Sequence, residues 1–437
     1  MTVNLKNFLN PKVKMSKMGE YQHLQPIEGL EISSVSADLY GDGRDDLSLF
    51  FFEKGANFAA VYTQSSIISA SISWNLKLKR HFVRALIVNT KNANTFTGEK
   101  GVQAIKDISK VLAKSLTLKA SQSPAGIQDT IKQNEIMFAS TGVIGETFPT
   151  QKIKNSISEL VKKLRVEQNK FVWFKTASAI MTTDTKPKLA YEECKIGNKI
   201  VKLSGIAKGS GMIAPNMATM LAFIFTDADI PSVYLKAVLK RVVGTTFNAI
   251  TIDGDMSTND MIGIFATRKA KNSKIYNALD PRLNDFENAL HRLSLNLAKQ
   301  IVVDGEGAKK FITVSVIGAR SILMAKNICF SIANSPLFKT AMNGSDANWG
   351  RIMMAIGKSQ EKVITNKIKL KIGEYLIVEN GALSENYNNQ LKDLNTYMKW
   401  DSINIEIDLG LGTAKHTVYT CDFSHDYIDI NTDYRRN

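Results

Sequence analysis

Strand-sized apolar segments and amphipathic helical segments alternate irregularly along this chain of 437 residues. The segment 47–62, LSLFFFEKGANFAAVY, predicts two buried strands around a Gly-Ala-Asn turn, and 84–89, RALIVN, predicts another strand. Apolar residues at helical spacing predict helices over 101–118 and 286–297. This irregular alternation favours a fold built of α/β layers over an all-α or an all-β fold.

The second half of the chain adds three strand signals. Segments 249–253 and 261–267 predict strands on either side of the polar turn GDMSTND. Near the end of the chain, INIEIDLGLGTAKHTVYTCDF alternates strongly around Gly410 and Gly412. That pattern predicts a β-hairpin.

Several classes of protein are disfavoured by composition. No apolar run approaches the ~20 residues that cross a membrane, and the N-terminal segment lacks the apolar core of a secretory signal. The three cysteines are far apart, and the five histidines form no zinc-binding HxxxH or HExxH motif. We therefore expect no metal, no membrane and no disulfide framework, and a cytoplasmic location.

The formal net charge of +15 raises the alternative of a nucleic-acid-binding protein. The lysines, however, are spread along the chain, and none of their short groups forms a long basic run interleaved with aromatic residues. We therefore predict no nucleic-acid partner. A weaker role of the charge in attracting anionic substrates stays open.

Two acidic motifs are candidates for ligand chemistry. The stretch Asp253–Asp260 carries three aspartates in eight residues, which is compatible with a cation site, although it misses the EF-hand pattern and a polar turn is the simpler interpretation. In Asp304-Gly-Glu-Gly307 the glycines allow the backbone to approach a ligand, and Glu306 can pair with an ammonium group. Loop geometry alone is the alternative for this second motif.

The stretch GSGMIAPNMATMLAFIFTDA begins as a loop with two glycines and a proline and continues as an apolar segment. The hydroxyl of Thr219 lies where the one changes into the other. A threonine hydroxyl can attack the preceding carbonyl, here that of Ala218, and hydrolysis of the resulting ester cuts the chain. The new α-amine, with a reference pKa of about 7.7–8.0, can then act as base for its own hydroxyl. An ordinary strand threonine is the competing interpretation.

The run from Lys208 to Ala228 resembles the self-processing site of the ornithine acetyltransferase family. Seven further stretches match that family in the same order, and the resemblance spans nearly the whole chain, more loosely over roughly the first 75 residues. These stretches are NANTFTGEKG, STGVIGE, AIMTTDTKPK, TIDGDMSTND, VDGEGAKK, SPLFKTAMNGSDANWGRI and the closing Asn-x-x-Tyr-Arg.

The resemblance implies the self-cleaving α/β sandwich of that family, which is related to self-cleaving aminopeptidases. Cleavage between Ala218 and Thr219 would give an α chain, 1–218, with the oxyanion hole and a β chain, 219–437, beginning with the nucleophile. The two chains would stay folded together and form a heterotetramer with two copies of each.

The resemblance also assigns roles to individual residues. Thr141 and Gly142 would form the oxyanion hole, and Thr219 would be the nucleophile. The residues that would contact substrate are Thr182 or Thr185, Lys208, Thr219, Glu306 and Asn431, and a last position where Arg436 replaces the small hydroxyl residue of the family.

The implied activity is that of a glutamate N-acetyltransferase of arginine biosynthesis. Thr219 would take acetyl from N2-acetylornithine, release ornithine and pass the acetyl group to glutamate. No bound cofactor is expected, and acetyl-CoA is left open as a second acetyl donor. The alternative is a self-processing aminopeptidase or amidohydrolase with an N-terminal threonine, in which water accepts the acyl group.

Overall fold

The computed structural model describes residues 24–78, 82–122, 130–214 and 220–432. Predicted site residues Ala218, Thr219 and Arg436 lie outside the described residues. Two compact units are present. The first takes its described residues from the ranges 1–209, 216–247 and 256–298, and the second from 210–215, 248–255 and 299–437.

The first unit is built on a mixed eight-stranded sheet. Its strand order is β4-β3-β2-β8-β7-β6-β5, with β1 paired to β2 off this path. The strands are β1 Leu30–Val35, β2 Leu47–Tyr62, β3 Phe82–Asn89, β4 Ile136–Ser140, β5 Lys188–Ile196, β6 Lys199–Lys208, β7 Leu221–Thr226 and β8 Met261–Ala266.

Strand β2 corrects one prediction, because residues 47–62 form one long strand and not two strands around a turn. Its first part pairs with β1 and β3 and its last part with β8, with an irregularity between Phe51 and Ala56. Gly55 lies in this irregularity with φ +73°, and a Cβ there would lie 1.8 Å from the ring of Phe82. The glycine therefore allows a bend where the sequence suggested a reversal.

Helices cover both faces of the first sheet, because side chains along its strands alternate between two apolar clusters. On β2, Leu49 and Phe51 face one cluster, while Phe50 and Phe52 face the other. Phe50 stacks on Phe225 at 4.7 Å between ring centroids. The helices are α1 Ala70–Leu76, α2 Gly98–Ser121, α3 Thr150–Lys162, α4 Lys170–Ala179, α5 Ser232–Gly244 and α6 Asn284–Val303, of which the residues from 299 belong to the second unit.

The second unit is a six-stranded sheet with the order β12-β11-β10-β13-β9-β14. Its apolar core includes Val314 on β9, whereas the neighbouring Thr313 and Ser315 are half-buried on the other face. The elements are β9 Phe311–Ala319, α7 Ile322–Ala333, α8 Pro336–Asn343, α9 Trp349–Gly357, β10 Lys369–Ile372, β11 Tyr375–Glu379, β12 Ala382–Leu383, α10 Tyr387–Tyr397, β13 Ser402–Asp408, β14 Ala414–Cys421 and α11 His425–Thr432.

Two further predictions in this half of the chain are wrong. The predicted hairpin does not form, because β9 lies between β13 and β14, parallel to the first and antiparallel to the second. Segment 249–253 is not a strand: a short 3-10 turn ends at Ala249, and Ile250 makes a single bridge to Tyr419. The α/β class predicted from the sequence is confirmed, and no helix within the described ranges is long and apolar enough to cross a membrane.

Candidate active site

Three of the predicted site residues meet in the first unit, at the end of strand β6. Lys208 is the last residue of this strand, and its side chain is buried. Its Nζ donates to the hydroxyl of Thr182 at 2.8 Å and to that of Thr141 at 3.4 Å. Of the two threonines that the sequence left open, Thr182 contacts Lys208 at this hydrogen-bond distance, and Thr185 is half-buried three residues further on.

Asp184 is a component of this cluster that sequence reasoning missed. Its Oδ1 accepts hydrogen bonds from Lys188 Nζ and from the Gly209 backbone N–H, both at 2.6 Å. Its Oδ2 accepts from the Thr182 backbone N–H at 3.0 Å and lies 3.8 Å from Lys208 Nζ. The carboxylate therefore links the Thr182 loop to the end of β6. The position of Asp184 inside the motif AIMTTDTKPK is the sequence signal that could have identified it.

The charge state of Asp184 follows from these neighbours. Burial by itself would raise the pKa of this carboxyl. The ammonium groups of Lys188 and Lys208 and the hydrogen bonds from Lys188 and Gly209 outweigh burial, and they hold its pKa well below the ordinary value. Asp184 is thus a buried anion between two cations. Removing one charged partner from such an arrangement is strongly destabilising, because it leaves a buried charge uncompensated.

Thr141 and Gly142 follow directly after strand β4 and differ in the donors that they offer. The backbone N–H of Thr141 already donates to the carbonyl of Asn89 at 3.1 Å. Only its side-chain hydroxyl can therefore stabilise an oxyanion. For the Gly142 N–H, the described part of the chain provides no acceptor.

Gly142 cannot be replaced without strain. Its φ of +133° is a conformation that residues with a side chain rarely adopt. A Cβ at this position would lie 2.1 Å from the carbonyl carbon of Lys91 and 2.5 Å from the backbone N of Asn92. The close packing of the 91–92 backbone against Gly142 holds its peptide in one orientation.

Two other predicted residues meet in the second unit. Asn431, on α11, donates from Nδ2 to Glu306 Oε2 at 2.8 Å. The Glu306 backbone N–H donates to the carbonyl of Ser210 at 2.7 Å. A Cβ at Gly211 would lie 2.3 Å from the carboxylate of Glu306, so the absence of a side chain at Gly211 makes room for that carboxylate. The structure therefore brings Glu306 and Asn431 together, as a pair within one unit.

Two aspartate side chains of the acidic turn 253–260 accept hydrogen bonds from backbone N–H groups. Asp253 accepts from the N–H groups of Met212 and Ile213, at 2.6 and 2.9 Å, within the second unit. In the first unit, Asp260 Oδ1 accepts from the Met220 N–H at 3.0 Å. Both aspartates thus hold backbone close in sequence to residue 219, which agrees with the polar-turn interpretation of the motif.

Comparison with known proteins gives consistent results. The model of the ArgJ family matches residues 31–436. The arginine biosynthesis bifunctional protein ArgJ of Caulobacter vibrioides is 41% identical over 419 residues, covering 94% of this chain and 98% of that protein. The protein of the same name from Gluconobacter oxydans is 43% identical over 413 residues, covering 94% and 93%. A crystal structure of the Bacillus halodurans protein is 37% identical, with a TM-score of 0.46, and covers 48% of this chain and 98% of that one.

Proposed function

Since this chain belongs to the ArgJ family, we propose that it is an acetyltransferase of arginine biosynthesis that moves acetyl from N2-acetylornithine to glutamate through an ester on Thr219. The observation that carries the proposal is the cluster of Lys208, Thr182 and Thr141 at the end of β6. In the sheet, Lys208 pairs with Leu221, which is two residues after the proposed nucleophile.

The reaction has two half-reactions of the same kind. The Thr219 hydroxyl attacks the acetyl carbonyl, its proton passes to the α-amine of Thr219, and ornithine leaves as the amine after it receives a proton. Glutamate then attacks the acetyl-threonine ester with its own amine and regenerates the hydroxyl. This ping-pong sequence uses one nucleophile and one base for both steps.

Each half-reaction passes through a tetrahedral oxyanion. The hydroxyl of Thr141 and the N–H of Gly142 are the proposed donors to that oxygen, since these are the groups that each residue has available. Donors already oriented before the reaction stabilise the developing charge without reorganisation, and losing one typically costs about 10²–10³-fold in rate.

Substrate recognition is assigned to charged groups. We assign the Lys208 ammonium to the carboxylate shared by acetylornithine and glutamate, with Thr182 holding the ammonium in place. Glu306, held by Asn431, is assigned to a substrate ammonium group. Arg436 is assigned to the last substrate contact by its place in the sequence.

Self-cleavage between Ala218 and Thr219 is part of the proposal. Strands β6 and β7 lie on either side of this bond in sequence and pair over six residue positions in one sheet. A cut chain would therefore keep its sheet, with 1–218 and 219–437 folded together. We further propose a heterotetramer of two chains of each kind, a cytoplasmic location, and acetyl-CoA as a second donor substrate, with no resident cofactor.

Intact-mass measurement tests the proposal directly. Wild-type protein should appear as two chains that divide at residue 218, whereas Thr219→Ala should remain whole. Acetylornithine alone should add the mass of one acetyl group to the chain that starts at Thr219, and glutamate should remove it as N-acetylglutamate. Steady hydrolysis of acetylornithine, with glutamate neither accelerating turnover nor becoming acetylated, would instead establish the aminopeptidase-like alternative.

A further inference from the structure

Asn259 and Asp260 are consecutive buried polar residues that have no role in the mechanism above. They lie at the end of the motif TIDGDMSTND, directly before strand β8. Asn259 is 5% exposed and Asp260 is fully buried. Buried polar side chains of this kind are kept only when they have specific partners, and the partners here belong to two parts of the proposed machinery.

Asn259 holds the strand end that carries the oxyanion donors. Its Nδ2 donates to the carbonyl of Ser140 at 2.8 Å, and Ser140 directly precedes Thr141. The same nitrogen donates to the carbonyl of Ala93 at 2.6 Å. Its Oδ1 accepts from the hydroxyl of Thr95 at 2.7 Å. With both ends of the amide in use, the end of β4 has little freedom to shift relative to Asn259.

Asp260 holds the residue that follows the proposed nucleophile. Its Oδ1 accepts from the Met220 N–H at 3.0 Å, and the Met261 N–H donates to the Met220 carbonyl at 3.1 Å. Both backbone groups of Met220 are therefore held by residues 260 and 261. The Met220 nitrogen is bonded covalently to the carbonyl carbon of Thr219, so Asp260 restrains the peptide unit next to the nucleophile.

The pKa of Asp260 is governed mainly by its burial. Burial raises the pKa of its carboxyl well above the ordinary value, although the hydrogen bond from Met220 lowers it. Its Oδ2 is buried, and among the described residues it has no hydrogen-bond partner. The hydrogen bond from Met220 needs only an acceptor oxygen at Oδ1, which a neutral side chain can also offer.

We propose that Asn259 and Asp260 form a positioning pair that holds the oxyanion donors Thr141 and Gly142 in register with Met220, the residue that directly follows the proposed nucleophile, both for self-cleavage and for acetyl transfer. This inference rests on the proposed function. Because the two residues are consecutive, only one peptide unit and two side chains separate the Ser140 carbonyl from the Met220 amide. An error of about 1 Å in such an arrangement can lower a rate by about 10²-fold.

Substitutions at Asp260 distinguish positioning from proton transfer. Asp260→Asn keeps an acceptor oxygen for Met220 but has no carboxyl to carry a proton, whereas Asp260→Ala removes the acceptor. We expect Asp260→Ala to slow self-cleavage and kcat about 10²-fold while KM for glutamate changes less than about twofold. Asp260→Asn should stay within about tenfold of wild type and keep the wild-type pH profile of kcat.

Asp227 provides a matched control at the opposite end of β7. Its carboxylate also holds a backbone N–H, that of Lys202 at 2.8 Å, and burial raises its pKa as well. Asp227→Ala should lower the melting temperature without slowing cleavage or transfer by the folded protein. Asn259→Ala should repeat the kinetic defect of Asp260→Ala, and it supplies the comparison if Asp260→Ala does not fold.

Three results would overturn the inference. Asp260→Ala could cleave and transfer at wild-type rates, or Asp227→Ala could be slowed equally at matched stability. Asp260→Asn could be as slow as Asp260→Ala with an altered pH profile, which would make Asp260 a proton donor. Failure of the proposed function would look different, because wild-type protein itself would then stay whole and form no acetyl-threonine. That result would remove the inference as well.

Discussion

The ammonium group of Lys208 donates a hydrogen bond of 2.8 Å to the hydroxyl of Thr182. This contact joins the end of β6 to the loop after α4, two segments that are 26 residues apart in sequence. From the motif AIMTTDTKPK alone, Thr182 and Thr185 are equally plausible substrate contacts, and this contact supports the assignment of Thr182.

The first prediction concerns this contact. Thr182→Val keeps the shape of the side chain but removes the acceptor of a charged donor, an interaction typically worth about 1.5–3 kcal/mol. We expect kcat/KM for acetylornithine and for glutamate to fall about tenfold or more. Thr185→Val is the matched control and should have a smaller effect. Steady-state kinetics of both variants decide the assignment, and the reverse order of effects would transfer the role to Thr185.

The second prediction concerns the Thr141 hydroxyl. Because the Thr141 backbone N–H is occupied by Asn89, no main-chain donor remains at this residue when the hydroxyl is lost. Thr141→Ala should lower kcat by about 10²-fold and slow self-cleavage, since both pass through an oxyanion. Thr141→Ser, which keeps the hydroxyl, should retain most of the rate. Unchanged turnover in Thr141→Ala would remove its side chain from the oxyanion hole.

Gly142 gives the third prediction, with Gly145 as control. Both residues have positive φ, but a Cβ at Gly145 would meet nothing within 4 Å. Gly145→Ala should therefore cost only backbone strain of about 1 kcal/mol. Gly142→Ala adds a collision with the backbone of Lys91, so it should lower the melting temperature further and abolish measurable self-cleavage. Equal melting temperatures and cleavage rates for the two variants would contradict the role given to Gly142.

The fourth prediction concerns the buried charges around Asp184. Asp184→Asn leaves Lys188 and Lys208 without their shared anion, and breaking a buried pair from one side costs about 3–5 kcal/mol. Denaturant unfolding measures this loss. Asp38→Asn is the control, because the Asp38–Lys152 pair is exposed and pairs of that kind contribute little. An equal, small loss in both variants would contradict the prediction.

The same carboxyl predicts the direction of a pH effect on stability. Its pKa in the folded state is lowered, so its stabilising contribution is complete above the ordinary aspartate pKa of about 3.9 and is lost as pH falls below that value. As the pH falls below about 5, wild-type protein should therefore lose more unfolding free energy than Asp184→Asn, because only the wild-type protein has this carboxylate to protonate. Parallel curves for the two proteins would rule this out.

Much of the fold was accessible from local patterns. Helices α2 and α6 and strands β3 and β8 lie where the spacing of apolar residues places them, because the periods of helix and strand are properties of neighbouring residues. The predicted hairpin failed for the opposite reason. Its two strands have the correct periodicity, but their partner β9 begins some 90 residues earlier in the sequence, and periodicity does not specify which strand is adjacent.

The candidate site divides in the same way. Sequence by itself determined which groups are chemically suited to it: a threonine hydroxyl after an alanine, a Thr-Gly pair in a loop, a lysine before a glycine turn, and a glutamate between glycines. Only the tertiary structure decided that Lys208 contacts Thr141, and it added Asp184, Asn259 and Asp260. Their roles depend on hydrogen bonds to segments up to 166 residues away, and such partners are selected when the sheet forms, because buried polar groups must then find them.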